Sequence, residues 1–362
     1  HLSIRRQRQM CIRDRGTGQQ PAAPPPVQPP SVVLVLSDLG IGDGNFAREA
    51  NDTLQELHAG GRASYKRVGQ LPQELGVEGI SGDIGLPASG PASPGAMDLP
   101  SAEELLAQVP DCELLVLTTP LLLERALTDI IDGAFSTEAI LVLDNEGYVP
   151  LEAEPPVPVY VVRYRVRDVA FLAGAAAAQS SNTAMFVAMA VKTDPQAEEF
   201  LAAVSAGARF QTSGAQVATI TVPVDEVQGY VTPELFLDAL TTVREEMGQY
   251  FQSNHYLLSL GRATPTVMLA LTGDPENAYV IGAYSDYRRV RPARVIGCAV
   301  KRPGQALDHI LRSIAGVGEL GGLADDGGVI ELGLAEDAVG FTDFEYYGRY
   351  NPDSEDIRQV VE

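Results

Sequence analysis

From residue 31 almost to its end, the sequence alternates short apolar runs with amphipathic segments. The run VVLVLSD, from Val32 to Asp38, is apolar and β-branched almost throughout, which is typical of a strand covered on both faces. The segment from Asn45 to His58 carries apolar residues at helical spacing. This repeated strand–helix–strand order predicts parallel sheets with helices on both faces.

The number of predicted strands indicates how the chain is divided. Further strands are predicted in ELLVLT, AILVLDN, VYVVRYRV, AMFVAMA, ATITVPV, YLLSLG, YVIGAYSD, VIGCAVK and VIELGL. One compact sheet does not hold so many strands, so we expect an α/β protein with two doubly wound lobes. The length of 362 residues agrees with this, because domains commonly have about 150 residues. Ser101, with Glu104 three residues later, forms a capping box that predicts the start of one helix.

Charge and composition exclude several classes of function. The formal net charge is −22, and such an acidic body repels phosphate backbones and anionic lipid, so we expect no nucleic-acid partner. The cysteines, Cys11, Cys112 and Cys298, are scattered and the four histidines do not cluster, so we expect no metal site. GVGELG, from Gly316 to Gly321, matches the letters of a nucleotide-binding motif, but it follows a predicted helix rather than a strand, so we interpret it as a loop. No nucleophile–base pair is visible, so we expect neither an enzyme nor a cofactor. No apolar run reaches the ~18 residues of a membrane-spanning helix.

The first 30 residues differ from the rest of the chain. HLSIRRQRQMCIRDR lacks the apolar core of a secretory signal, and we interpret it as read-through of a sequencing adapter. The following segment has six prolines among residues 21–30 and is typical of an extended tether. A tether before the first strand suits a protein held to a membrane by its N-terminus. Cys11 does not follow a lipobox, so we expect the native signal and lipid-carrying cysteine to be missing from this chain.

Residues that follow the predicted strands are the first candidates for a binding site, because ligands bind beyond the carboxyl ends of parallel strands. The segment SDLGIGDGNF follows the first strand, and its glycines allow a ligand to approach the backbone closely. Asp43 fits either a ligand contact or the N-cap of the next helix. Phe46 fits either the binding site or the core.

Several segments resemble the basic membrane protein family, the substrate-binding lipoproteins of ABC transporters that include purine-nucleoside-binding members. The family's T-D-x-G-G-x-x-D-K-S-F-N segment is similar to SDLGIGDGNFA, and its acidic residue followed by FLAG is similar to DVAFLAGAAAA, from Asp168 to Ala178. FLAAVSAG, YVIGAYSDY and VIGCAVKR resemble later family segments in the same order. The resemblance covers most of residues 31–345.

The resemblance implies a type I periplasmic binding protein fold, in which two doubly wound parallel-sheet lobes are joined by a three-strand hinge. It places the crossings between lobes near Tyr164 to Asp168, near Val300 and near Gly327 to Glu331. The implied lobe 1 comprises residues 31–164 and 300–327. The implied lobe 2 comprises residues 165–299 and 328–362, and residues 1–30 form a tail.

The resemblance also implies a ligand site between the lobes, where aromatic rings stack on a nucleoside base and carboxylates accept from ribose hydroxyls. Matched by position, the ligand residues are Asp38, Asp43, Phe46, Phe171, Phe200, Gly261, Asp286 and Lys301. Phe171 fits the core as well, and Lys301 fits a hinge-side salt bridge equally well. Two departures from the family pattern join this set: Arg262 is expected to face an anionic group, and Tyr284 to stack.

The implied function is that of an extracytoplasmic solute-binding protein of an ABC importer. Such a protein binds a small polar, nucleoside-like ligand and delivers it to a permease without making or breaking a bond, so it needs no cofactor. The alternative is a membrane-tethered sensor or regulatory protein on the same scaffold, with a diverged ligand. Both interpretations place the protein in the periplasm or on the outer face of the cytoplasmic membrane.

Overall fold

The apolar runs of the sequence form buried strands, and the amphipathic segments between them form helices. These elements are seen in a computed structural model that describes twelve stretches of the chain. Those stretches are residues 29–36, 44–69, 101–145, 154–181, 183–225, 231–247, 255–260, 264–272, 278–289, 291–317, 327–351 and 354–361.

Lobe 1 is built on a parallel sheet with the strand order β11-β5-β4-β3-β1-β2. Its strands are β1 (Ser31–Val35), β2 (Ser64–Val68), β3 (Leu114–Leu117), β4 (Ala139–Val142), β5 (Val159–Tyr164) and β11 (Gly328–Leu332). Its helices are α1 (Gly44–Ala59), α2 (Ala102–Leu106), α3 (Leu123–Ile131), preceded by a short 3-10 turn, and α8 (Pro303–Val317). Helix α8 belongs to this lobe because it packs on α1, where Gly304 lies against Thr53.

Lobe 2 is built on a second sheet with the strand order β12-β10-β9-β8-β6-β7, in which only β12 runs antiparallel to its neighbour. Its strands are β6 (Met185–Val191), β7 (Gln216–Val222), β8 (His255–Ser259), β9 (Tyr279–Tyr284), β10 (Val295–Lys301) and β12 (Val339–Phe341). Its helices are α4 (Val166–Ser180), α5 (Ala197–Gln211), α6 (Pro233–Met247), α7 (Thr264–Thr272), α9 (Glu345–Gly348) and α10 (Ser354–Val361).

Both faces of each sheet are covered, as the continuous apolar runs predict. In β1, Val32 and Leu34 belong to one buried cluster, whereas Val33 and Val35 belong to another on the opposite face. Successive side chains of a strand point to opposite faces, so each sheet is the middle of three layers. The prediction of two doubly wound α/β lobes is thereby confirmed.

Within the described residues, the chain passes between the lobes three times. It crosses at Arg165 between β5 and α4, at Arg302 between β10 and α8, and over residues 333–338 between β11 and β12. The carboxyl ends of the strands of both sheets therefore face a common seam beside these crossings.

The third crossing lies later in the chain than the sequence analysis places it. Strand β11 pairs in parallel with β5, with Gly328 beside Tyr160 and Leu332 beside Tyr164. Residues 328–332 therefore belong to lobe 1, whereas the sequence analysis assigns residues 328–362 to lobe 2. The apolar pattern of VIEL marks a strand, but it does not show which sheet supplies the neighbouring strand.

Local sequence signals also bear on the ends of elements. The capping box predicted at Ser101 is present, since its hydroxyl accepts from the Glu104 N–H and the Glu104 carboxylate accepts from the Ser101 N–H.

Among the described residues, we find no helix with the combined length and apolar character needed to cross a membrane.

Candidate functional site

A cavity of about 380 Å³ lies where the two lobes meet. Lobe 1 contributes Phe46 and Glu49 from α1, and lobe 2 contributes Asp286, Lys301 and Asp343 from the segments that end β9, β10 and β12. This volume falls within the range of about 300–1,000 Å³ that is usual for small-molecule sites. The cavity therefore has the size and the position of a ligand site between lobes.

Carboxylates on the lobe 2 side of the cavity hold an arginine between them. Arg288 donates from Nε and Nη2 to both oxygens of Asp286, at 2.9 and 2.7 Å, and from Nη1 to Asp343. These bonds, chiefly those to Asp286, raise the pKa of Arg288. The arginine side chain is 15% exposed, but those of Asp286 and Asp343 are 42% and 63% exposed. This side of the cavity therefore presents carboxylate oxygens, fixed in place by the guanidinium.

Glu49 places a titratable carboxyl group on the lobe 1 side of the cavity. Burial raises its pKa to about 7, although a hydrogen bond from the Gly304 backbone and the charge of Arg302 act in the opposite direction. Arg302 itself pairs with Asp337. A carboxyl with this pKa is present in both protonation states at neutral pH, so Glu49 can either donate or accept a hydrogen bond in the cavity.

Lys301 joins the two lobes at the base of the cavity. Its Nζ lies 2.9 and 3.2 Å from the two carboxylate oxygens of Asp144, which follows β4 in lobe 1. Both side chains are almost fully buried, at 3% and 1% exposure. The ring of Tyr284 lies 4.2 Å from the ammonium and that of Tyr164 lies 5.6 Å from it. A hinge-side salt bridge, one of the two roles considered for Lys301, is thus present.

Tyr284 ends β9 with an unusual backbone conformation. Its φ is +74°, a region that residues other than glycine rarely adopt. Its hydroxyl donates to Asp194 at 2.8 Å, and its ring meets that of Phe200 edge to face at 5.8 Å. Phe200 is fully buried behind it and does not line the cavity.

The predicted ligand residues fall into three groups in the structure. Phe46, Asp286 and Lys301 line the cavity, and Tyr284 contacts Lys301 beside it. Phe171 and Phe200 do not line the cavity: Phe171 is half-buried and contacts the exposed ring of Phe210, and Phe200 is fully buried. The other four predictions lie outside the described residues, namely Asp38, Asp43, Gly261 and Arg262.

Other residues in or beside the cavity were missed, although some carried a signal in the sequence. Asp144, the partner of the cavity residue Lys301, lies near the carboxyl end of the predicted strand AILVLDN, which is the position that parallel sheets favour for ligand contacts. Glu49 lies three residues after Phe46 and therefore on the same face of the helix. Arg288 and Asp343 had no such signal, because their meeting depends on β9 and β12 both lying beside β10.

The comparisons with known proteins bear on the fold. No family model and no curated protein matches the sequence. A solved structure of a transcriptional activator of the comK gene from Bacillus halodurans matches with 13% identity and a TM-score of 0.54, over 91% of this chain and 95% of that one. An ABC transporter solute-binding protein from Aeropyrum pernix K1 matches with 17% identity and a TM-score of 0.51, over 92% of this chain and 85% of that one.

The chain has the type I periplasmic binding protein fold. The matches cover 91% and 92% of this chain and therefore extend over both lobes. One matching structure is described as a gene activator and the other as part of a transporter, and identities this low do not choose between those roles.

Proposed function

We propose that the protein is an extracytoplasmic solute-binding protein that holds a small polar ligand between its lobes and delivers it to the permease of an ABC importer. The observation that carries the proposal is the cavity between the lobes. Phe46, Asp286 and Lys301 line it, and these are positions at which the resemblance to the basic membrane protein family implies ligand contacts.

The chemistry of the cavity supports an uncharged ligand rich in hydrogen-bond donors, such as a nucleoside. Phe46 belongs to the core and is 3% exposed, so it offers a ring only a small apolar surface, whereas the partly exposed Asp286 and Asp343 offer acceptors for hydroxyl groups. Phe200 and Phe171 do not supply a second aromatic wall, so Tyr284 is the nearest candidate for that role. The acidic body disfavours anionic ligands.

The three crossings act as a hinge that allows the lobes to close around a ligand. A ligand that contacts both lobes stabilises the closed arrangement, and the lobes rotate about the crossings when they open. Capture and release make and break no covalent bond, so this function requires neither a catalytic group nor a cofactor. The Pro-rich tether before β1 suits attachment to the outer face of the membrane by a lipid anchor.

The ligand proposal is tested by thermal denaturation of the full chain with nucleosides, pentoses and nucleoside monophosphates. A ligand at 100 times its dissociation constant stabilises the folded state by about 2.7 kcal/mol, which is readily measured. We expect a nucleoside to raise Tm and its monophosphate to have no effect. If no nucleoside raises Tm, the proposed ligand class is wrong. If the protein converts a nucleoside into a product, a role in binding alone is wrong.

Variants of the cavity test whether a ligand binds there. Asp286→Asn and Phe46→Leu are expected to weaken nucleoside binding at least tenfold, because a charge-assisted bond or a stacking contact is lost. Asp238→Asn, at an exposed position on α6, is the matched control and is expected to bind as the wild type does. Isothermal titration measures all three, and normal binding by both cavity variants would show that the site lies elsewhere.

The alternative function is that of a membrane-tethered sensor with a diverged ligand. One observation favours a diverged ligand: Lys301, which the resemblance assigns to ligand binding, is bonded to Asp144 across the lobes. Genes for a permease and an ATPase beside this gene would support import. A gene for a kinase or a receptor in that place would support the sensor.

A further inference from the structure

The contact between Lys301 and Asp144 joins the lobes at a point where neither charge reaches solvent. Lys301 is the last residue of β10 in lobe 2, and Asp144 lies two residues after β4 in lobe 1. Both side chains are at least 97% buried, and two hydrogen bonds of 2.9 and 3.2 Å connect them. One aromatic ring from each lobe, Tyr164 and Tyr284, flanks the ammonium.

A buried ion pair of this kind opposes separation of its partners. Parting them while they stay buried leaves two uncompensated charges, and this is strongly destabilising. The ammonium also loses its attraction to the Tyr284 ring, which is 4.2 Å away. The lobes can separate here only if water or a ligand takes over the hydrogen bonds of Lys301 and Asp144.

The backbone of Tyr284 is a second and independent feature of this contact. A tyrosine with φ of +74° is strained, and such strain persists only where the surroundings hold the residue in place. Those surroundings include the hydrogen bond to Asp194, the edge of the Phe200 ring and the ammonium of Lys301. Tyr284 is therefore held against the ion pair at the cost of backbone strain.

We propose that Lys301, Asp144 and Tyr284 form a latch that holds the two lobes together. The latch regulates the site in the cavity, because Lys301 lines that cavity and its ammonium becomes available to a ligand only after it has parted from Asp144. This regulatory role rests on the proposed function. The latch itself is testable without any ligand.

The test measures the distance between two spin labels, one in each lobe, by double electron–electron resonance. Spin labels are attached through a genetically encoded keto amino acid in place of Glu56 on α1 and Asp238 on α6, both exposed and one in each lobe. The wild type is expected to give one narrow distance distribution. Asp144→Asn combined with Lys301→Met removes both charges together, and it is expected to shift the distribution to longer distances and to broaden it.

The matched control breaks an ion pair that lies within one lobe. Arg125→Met removes the contact of Arg125 with Asp129, at 2.9 Å on α3, and is expected to leave the distribution unchanged. Circular dichroism establishes that each variant is folded. If the double variant does not fold, the single variant Lys301→Gln is used instead, and it is expected to shift the distance distribution in the same direction.

An unchanged distribution in a folded latch variant would overturn the latch, and the proposed function would be untouched. If no ligand in the thermal denaturation screen raises Tm, the proposed function is overturned, but the latch is not. A shift in the Arg125→Met control equal to that of the latch variant would also overturn the latch, because the effect would then not depend on contact between lobes.

Discussion

At the scale of single residues, Glu49 makes the stability of the fold depend on pH. Burial raises its pKa in the folded protein to about 7, whereas an unfolded glutamate titrates near 4.5. As pH rises through this window, the unfolded chain releases its proton first, so the folded state loses stability. Glu49→Gln removes the titration, and its gain in stability over the wild type is expected to grow to about 3 kcal/mol at pH 8. Urea denaturation at pH 5 and pH 8 measures this.

The control for this prediction lies on the same helix. Glu56→Gln changes an exposed carboxylate on α1, and the difference between that variant and the wild type is expected to be the same at both pH values. If Glu49→Gln behaves in the same way as this control, burial does not perturb Glu49 and its carboxyl is ionised in the cavity throughout.

Residue-level features of the site could be predicted only where they depend on local sequence. Phe46 and Asp286 were found because each lies in a recognisable segment, Phe46 in the first turn of α1 and Asp286 two residues after β9. The partners Lys301 and Asp144 are separated by 157 positions, and their contact depends on how the two sheets face each other. No pattern within one segment carries that information, and the same holds for Arg288.

At the scale of elements, the packing of α4 on α5 depends on two glycines. A Cβ atom at Gly174 would overlap the carbonyl oxygen of Val204, and one at Gly207 would overlap that of Phe171. Alanine within a helix is normally more stable than glycine by about 1 kcal/mol. Here the overlap reverses the sign, and we expect Gly174→Ala and Gly207→Ala each to destabilise the fold by about 2 kcal/mol. Urea denaturation midpoints test this.

A third glycine supplies the comparison for the helix pair. A Cβ at Gly214, after α5, meets nothing within 4 Å. Gly214→Ala is expected to leave the stability unchanged or to raise it slightly, because the unfolded chain loses freedom. Equal destabilisation by all three substitutions would contradict the packing argument.

Elements were predicted best where the apolar run was long. The run in β6 reads as a strand without any tertiary information, and the Ala-rich segment of α4 reads as a helix. Strand β12 was missed because three residues are too few to show a period, and its pairing with β10 comes from the third crossing. The choice of α5 as the partner of α4 was not predictable, because it depends on how the helices pack on the sheet.

At the scale of the whole molecule, neither lobe is a continuous piece of chain. Lobe 1 is completed by α8 and β11, which follow the main part of lobe 2 in the sequence. One buried cluster also contains Leu34 and Val116 from lobe 1 together with Phe186 and Leu257 from lobe 2. Shared core and shared chain both couple the lobes, so we expect them to lose structure together.

This coupling predicts a single unfolding transition, which two tryptophan reporters can test. The chain has no tryptophan, so Tyr65→Trp on β2 and Tyr279→Trp on β9, both at partly buried positions, report on lobe 1 and lobe 2 separately. Each fluorescence midpoint in urea is expected to coincide with the midpoint that circular dichroism gives for the same variant. If the lobes were independent, the reporters would fall at different midpoints and circular dichroism would show two steps. Coincident midpoints would mean that neither lobe remains folded once the contacts between the lobes are broken. This is what a buried cluster shared by both lobes predicts.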